Sequence, residues 1–214
     1  MKIILLFIFI LTFSTTACDN TVRTSPYAPK KVMLENGKFS GLEVEIINHL
    51  FNKSSLCFDY LDAPWARAMR LIKSGQITFM MNLSKTDERE SYMHFIGPYG
   101  TERLVLMVKD DIDISINTLA DLQSFPGYIG REKDSWYGEQ FNHLFLSVPE
   151  FEKKFINLTS HTQKLKLLQL GRIEAAIVQQ VNAKFLIASD DKFKNFKLLP
   201  FVIHESAVYI GASK

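Results

Sequence analysis

Cysteine is scarce in this chain: two residues, Cys18 and Cys57, among 214. Two cysteines make neither a disulfide framework nor a metal site of recognisable spacing, so no metal and no cofactor is expected. A charge excess is missing too. Lys and Arg number 25 against 23 Asp and Glu, a formal charge of +2, which removes the electrostatic case for nucleic acid. No apolar run reaches the ~20 residues of a membrane-spanning helix. There is no internal repeat and no low-complexity tract. HExxH and GxSxG do not occur, and His49, His94, His143, His161 and His204 have no partner spacing. Ser189 to Lys192 matches a bare SxxK without its companions. No catalytic residue is assigned, and the chain is not expected to be an enzyme.

What is present begins with Lys2, the apolar run Ile3 to Leu11 and then Thr12 to Ala17, the make-up of a secretory leader over residues 1–17. The expected location is the periplasm or cell envelope. Cys18 directly after Ala17 resembles a bacterial lipoprotein cleavage site, with Cys18 as the lipid attachment point and the only route to a membrane. Thr15 stands where such sites carry an aliphatic residue, so cleavage by an ordinary leader peptidase stays open. Cys57, within Leu56 to Tyr60, reads as a buried structural thiol, and a bridge to Cys18 is not expected. Residues 18–24 read as a polar tether.

With 47% hydrophobic and 22% charged residues, the chain has ordinary globular composition for one or two domains. Lys31 to Glu35 predicts a first strand ahead of an Asn36-Gly37 turn. From Gly41 the period changes: Leu42, Ile46, Ile47, Leu50 and Phe51 fall on one helical face, with Glu43, Glu45, Asn48 and His49 turned away. Leu56 to Leu61 is a second strand. Pro64 suits the first turn of a helix striped by Trp65, Met69 and Ile72 and ended by Gly75. Trp65 and Arg67 either project toward a cleft or pack and solvate ordinarily.

The stretch Gly75 to Tyr99 carries the chemistry. Ile77 to Asn82 is a buried-strand pattern, followed at once by Ser84, Thr86 and Arg89. In open α/β sheets this edge is where ligands bind, and two hydroxyls with a guanidinium make a grip for a carboxylate. The alternative is a solvated Arg89 among Asp87, Glu88 and Glu90. Arg103 to Val108 is another strand, and the acidic Asp110 to Asp113 marks a crossing into a second unit. There, Thr118 and Asp121 make a capping box for a short helix over Thr118 to Ser124. Tyr128 to Arg131 is a strand, and Asp134 and Ser135 are N-cap candidates for a helix with Tyr137, Phe141, Leu144 and Phe145 on its apolar face. Its backbone N–H groups could meet an anion. Phe155 to Leu158 and Ile173 to Val178 are strands, separated by a helix capped by Ser160 and Gln163 and stopped at Gly171. A short helix over Val181 to Ala188 and strands at Phe196 to Leu199 and Ala207 to Ser213 complete the pattern, which calls for parallel sheets with helices on their faces.

The ordered set Tyr27-Ala28-Pro29, Gly41 with its helix, Leu83-Ser84-Lys85-Thr86-Asp87-Glu88-Arg89, Phe95 to Pro98-Tyr99, and Gly171-Arg172-Ile173-Glu174-Ala175-Ala176 resembles the bacterial extracellular solute-binding proteins of family 3. The resemblance implies an α/β, two-lobed periplasmic-binding-protein (type II) fold with parallel-sheet lobes joined by two crossing strands. Lobe one would be residues 25–108 and 205–214, and lobe two 109–204. It further implies capture of a small carboxylate-bearing ligand by a monomer that serves an ABC-transporter permease or a membrane receptor. Lyases on the same fold are a further alternative. The family's usual helical stretch beyond the segment matching Tyr209 to Lys214 is not in this sequence, which implies a divergent short form or a truncated reading frame, with apolar surface left uncovered.

By the same resemblance, Arg89 is the carboxylate-binding arginine, with Ser84 and Thr86 beside it. Tyr27 is an aromatic that packs on the ligand or lids the sheet edge. Ser135 is the donor from lobe two, although Asp134 stands where the family has Gly. Gln179 aligns with the acidic residue that pairs an amino acid's ammonium group. An amide there leaves that charge uncompensated, so Glu132 or Asp134 supplies it or the ligand is not an ordinary α-amino acid.

Overall fold

The computed structural model describes residues 18–54 and 56–214, apart from the side chain of Val32; the expected leader, 1–17, lies outside the described residues. One eight-stranded sheet runs through the molecule in the order β4-β1-β5-β10-β6-β9-β7-β8. These strands are β1 (Asn20–Thr24), β4 (Phe58–Asp62), β5 (Phe79–Leu83), β6 (Met93–Lys109), β7 (Ile129–Glu132), β8 (Phe155–Leu158), β9 (Ala175–Gln179) and β10 (Phe196–Ser213). A separate hairpin pairs β2 (Val32–Met33) with β3 (Phe39–Ser40) around the expected turn at Gly37. The helices are α1 (Leu42–Ser54), α2 (Trp65–Lys73), α3 (Asp87–Glu90), α4 (Glu139–Ser147), α5 (Pro149–Glu152), α6 (His161–Gln169) and α7 (Gln180–Ser189).

The two long strands make the molecule two-lobed. β6 and β10 run antiparallel along their whole lengths, from Phe196 opposite Lys109 to Ser213 opposite Met93. Phe196 to Leu199 and Ala207 to Ser213, expected as two strands, are therefore the two ends of one crossing. At one end β1 lies parallel to β4 and β5. At the other β7 lies parallel to β8 and β9. Each half carries apolar packing on both faces. Along β6, Leu104, Leu106 and Val108 enter one core with Phe125, Phe141 and Phe151, while Val105 and Met107 enter another with Leu168 and Phe193. Continuous apolar runs such as these are what strands covered on both sides require.

Several expectations are corrected. Residues 18–24 are not a tether: Asn20 to Thr24 is β1, an inner strand, with Val22, Arg23 and Thr24 buried. Thr, Val and Thr are good strand formers, and two neighbours satisfy the backbone. Cys18 and Cys57 form a disulfide, because the parallel pairing of β1 with β4 brings their Cα atoms to 5.2 Å, and Cys57 is exposed instead of buried. A sulfur in that bridge has no valence for a thioether lipid, so bridge and anchor exclude each other. In α1 the buried face is Glu43, Val44, Ile47 and Phe51, and Leu42 and Leu50 point outward. Glu43 is held inside by Lys31 at 3.0 Å and Lys30 at 3.7 Å. Gly41 permits this approach, since at φ +111° a Cβ would lie 2.5 Å from the Lys30 carbonyl oxygen.

Candidate functional site

The carboxyl ends of β1, β5, β7 and β9 converge between the lobes, the edge where open α/β sheets hold ligands. They surround a cavity of about 80 Å³ lined by Arg23, Tyr27, Trp65, Ser84, Arg89, Glu102, Glu132, Ser135, His161, Lys164 and Gln179 among others. Six of the residues singled out from sequence meet here: Arg89, Ser84, Tyr27, Ser135, Gln179 and Trp65. The seventh, Thr86, lies in a neighbouring open cleft of about 700 Å³ and caps α3, its hydroxyl accepting from the Arg89 N–H at 3.3 Å. Arg67 is exposed and lines neither.

Arg89 is 6% exposed. One guanidinium nitrogen donates to the Ser84 carbonyl at 2.8 Å and another to the Asp134 carbonyl at 3.5 Å. Among the described residues no carboxylate lies within ion-pair distance of it. Two guanidiniums lie over Trp65, Arg23 at 5.4 Å and Arg89 at 5.8 Å from its ring, and its indole N–H donates to the Asp134 carbonyl at 3.0 Å. The Trp is therefore a cleft residue that joins the lobes as well as a core residue.

Ser135 lines the cavity, but not as a helix cap. α4 starts at Glu139 with Gly138 at its N-cap. The Tyr137 hydroxyl accepts from the Glu132 N–H at 2.7 Å and donates to the Glu132 carbonyl at 3.2 Å, tying the intervening loop back onto β7. No helix runs through residue 135, so the backbone anion site expected there is absent.

Beside Gln179 stands an acidic residue the sequence reading missed. Glu102, on β6 and 8% exposed, accepts from Gln179 Nε2 at 3.1 Å and from the Ser84 hydroxyl at 3.0 Å. Burial pushes the Glu102 carboxyl up, against the opposing pull of those donors and of Lys30 and Arg89. Gln179 Nε2 also donates to Asn82 Oδ1 at 3.2 Å, and its Oε1 is buried with no partner among the described residues. Of the two residues expected to supply charge, Glu132 lines the cavity and Asp134 lies in the neighbouring cleft.

Three further cavity residues were missed, and only topology reveals them. Arg23 is 5% exposed at the end of β1 and donates to the Ala63 carbonyl at 3.0 Å and the Ser25 hydroxyl at 2.9 Å. Lys164, 3% exposed on α6, makes no side-chain hydrogen bond or ion pair among the described residues. His161 packs edge-on to Tyr27 at 4.1 Å, and burial, then the Lys164 ammonium, hold its pKa well below the ordinary histidine range, so it is neutral. Asn182 on α7, fully buried, donates across the cleft to the Tyr27 and Ala28 carbonyls at 3.1 and 2.6 Å. No group of three His, Cys, Asp or Glu among the described residues could hold a metal.

Comparison with known proteins bears on the fold and the family. A probable amino-acid-binding protein, YxeM, of Bacillus subtilis (strain 168) is 28% identical over 161 residues, 73% of this chain. The chain spans 56% of that protein's length. Among solved structures, a mutant of ArgBP from T. maritima superposes with a TM-score of 0.75 at 17% identity, covering 91% of this chain and 80% of that one. A histidine kinase sensor domain with similarity to periplasmic binding proteins gives 0.76 at 18%, covering 91% and 82%. The substrate-binding protein of an amino acid ABC transporter gives 0.73 at 20%, covering 91% and 84%. These likenesses show the two-lobed fold. The model of the bacterial extracellular solute-binding proteins, family 3, matches residues 21–197, and the chain belongs to that family.

Proposed function

We propose that this chain is a solute-binding protein that captures a small carboxylate-bearing ligand, an amino acid or related organic acid, between its lobes for an ABC importer. The observation that carries the reading is Arg89: a buried guanidinium in the interlobe cavity with no acidic partner of its own among the described residues. A desolvated cation of this kind calls for an anion, and a carboxylate can take two parallel N–H bonds from it. Ser84 and Ser135 flank that position. An ammonium group on the ligand meets Glu102 together with the unpartnered Gln179 Oε1, so the carboxylate that the family places at position 179 is supplied from the crossing strand.

The amino-acid-binding relative and the amino acid ABC transporter's binding protein support the ligand class and a permease partner. The family's extracellular character supports an exported location, the periplasm or envelope. The test is thermal unfolding of the purified protein against amino and organic acids, with Arg89→Ala alongside. A ligand at 100 times its Kd adds about 2.7 kcal/mol to the wild type. Arg89→Ala loses that shift. Retention of the full shift in the variant refutes the assignment.

A further inference from the structure

The cavity holds an excess of positive charge that an ordinary amino acid, whose own carboxylate and ammonium cancel, does not balance. Its lining includes Arg23, Lys31, Arg89 and Lys164 against Glu102 and Glu132. Lys31 is taken by Glu43 behind the wall. Three cations then face two acids, and no two of these five groups form an ion pair within 4 Å. Arg23 and Arg89 both lie over the Trp65 ring, 5.4 and 5.8 Å from its centroid. Lys164 is 3% exposed, faces the same space from the other lobe, and has no hydrogen-bonding partner among the described residues. Burial lowers the Lys164 pKa, so an ammonium there calls for a counter-charge that no described residue provides within ion-pair distance.

We infer that Arg23 and Lys164, which line the cavity with Arg89, form a second anion seat, and that the ligand carries two carboxylates a short chain apart. This rests on Arg89 holding the first carboxylate. Glu132, at the end of β7, is the acidic group whose field reaches both Arg23 and Lys164, and it orients the seat without neutralising it. His161 beside Lys164 is neutral and adds no positive charge. Acidic amino acids and plain dicarboxylic acids share the required chemistry. Glu102 separates them, because an ammonium pairs with it and a plain diacid does not. A ligand ending in a guanidinium or an amine is excluded from this seat by like charge.

The experiment is calorimetric titration of the purified protein with glutamate, aspartate, succinate and glutarate, and with glutamine, asparagine and arginine as matched neutral and basic probes. The expected result is binding of a diacid at least about tenfold tighter than its amide counterpart, the worth of one charge-assisted contact. Lys164→Met and Arg23→Met each weaken diacid binding more than amide binding and so remove that preference. Lys164→Met also unfolds at a temperature no lower than wild type, since it deletes an unpaired buried charge, which separates lost recognition from lost folding. Wild-type protein that binds amides or arginine as tightly as diacids, with Arg89→Ala still abolishing binding, overturns the second seat and leaves the first. Diacid preference that survives in both Met variants also overturns it. Absence of binding by every carboxylate overturns both seats.

Discussion

Replacing Glu43 by Leu should be among the most damaging single changes outside the cavity. Glu43 is 1% exposed and pairs with Lys31, itself 5% exposed, at 3.0 Å and with Lys30 at 3.7 Å. Removing the acid strands the Lys31 ammonium in a place water barely reaches, which costs about 3–5 kcal/mol. In a chain of this size about 1 kcal/mol moves the midpoint by 2–4 °C, so the drop is about 6–20 °C. The effect is directional. Lys31→Met leaves Glu43 with Lys30 and costs less than Glu43→Leu, and Lys31→Met with Glu43→Leu together recover most of the loss, because an apolar pair carries no desolvation penalty. The pH dependence has a definite sign. Burial works to raise the Glu43 carboxyl, but the Lys31 and Lys30 ammoniums overrule it and hold its pKa below the ordinary value. Its contribution is therefore present above the unfolded carboxylate pKa and is lost as pH falls through the folded one. Urea unfolding of the four proteins at neutral and acid pH reads all of this. A Glu43→Leu protein within about 1 kcal/mol of wild type at neutral pH refutes the reasoning, as does a double variant no more stable than the single one.

Breaking the Cys18–Cys57 bridge, which spans 39 residues of sequence, should destabilise the protein by about 4 kcal/mol on chain entropy alone, read as the difference between Cys57→Ser and wild type. A midpoint that is the same in both, with and without reductant, refutes the bridge. The second concerns Glu102, whose carboxyl burial raises. Between the ordinary carboxylate pKa and the raised folded value the unfolded chain releases this proton first, so wild type loses stability relative to Glu102→Gln as pH rises, and a difference that is flat with pH refutes it.

Much of the architecture was legible where the signal was local. Ser160 caps α6 through the Gln163 N–H at 3.2 Å, and Asp121 accepts from the Asn117 and Thr118 N–H groups at 2.8 and 2.9 Å, as a capping pattern requires. Pro64 precedes α2 and Gly75, at φ +74°, follows it. The failures share a different cause. Asn20 to Thr24 has a single apolar residue, and only pairing with β4 and β5 makes it an inner strand. The face of α1 could not be placed without knowing that two lysines meet Glu43. Asp134 and Ser135 have the composition of an N-cap, yet Asp134 adopts φ +62° and the Tyr137 hydroxyl pins the loop, delaying the helix to Glu139.

The site divides along the same line. Arg89 follows a buried strand directly, so its position at a ligand-bearing edge is a local inference. Arg23, Glu102 and Lys164 come from β1, β6 and α6, separated by more than half the chain, and no spacing relates them. Their meaning appears only when the lobes are brought together. Arg23 and Arg89 belong to the half built on β1 and β5, Lys164 to the half built on β7 and β9. When the halves meet, through Trp65 on Asp134 and Asn182 on Tyr27 and Ala28, the three cations come to line one cavity. Neutral hydrogen bonds of that kind contribute only about 0.5–1.5 kcal/mol each. On the two-seat proposal, a dianionic ligand engages cations of both halves at once. Its affinity for the joined lobes over the separated ones is the free energy available to shift the hinge, and the residues that set specificity are therefore the residues that drive closure.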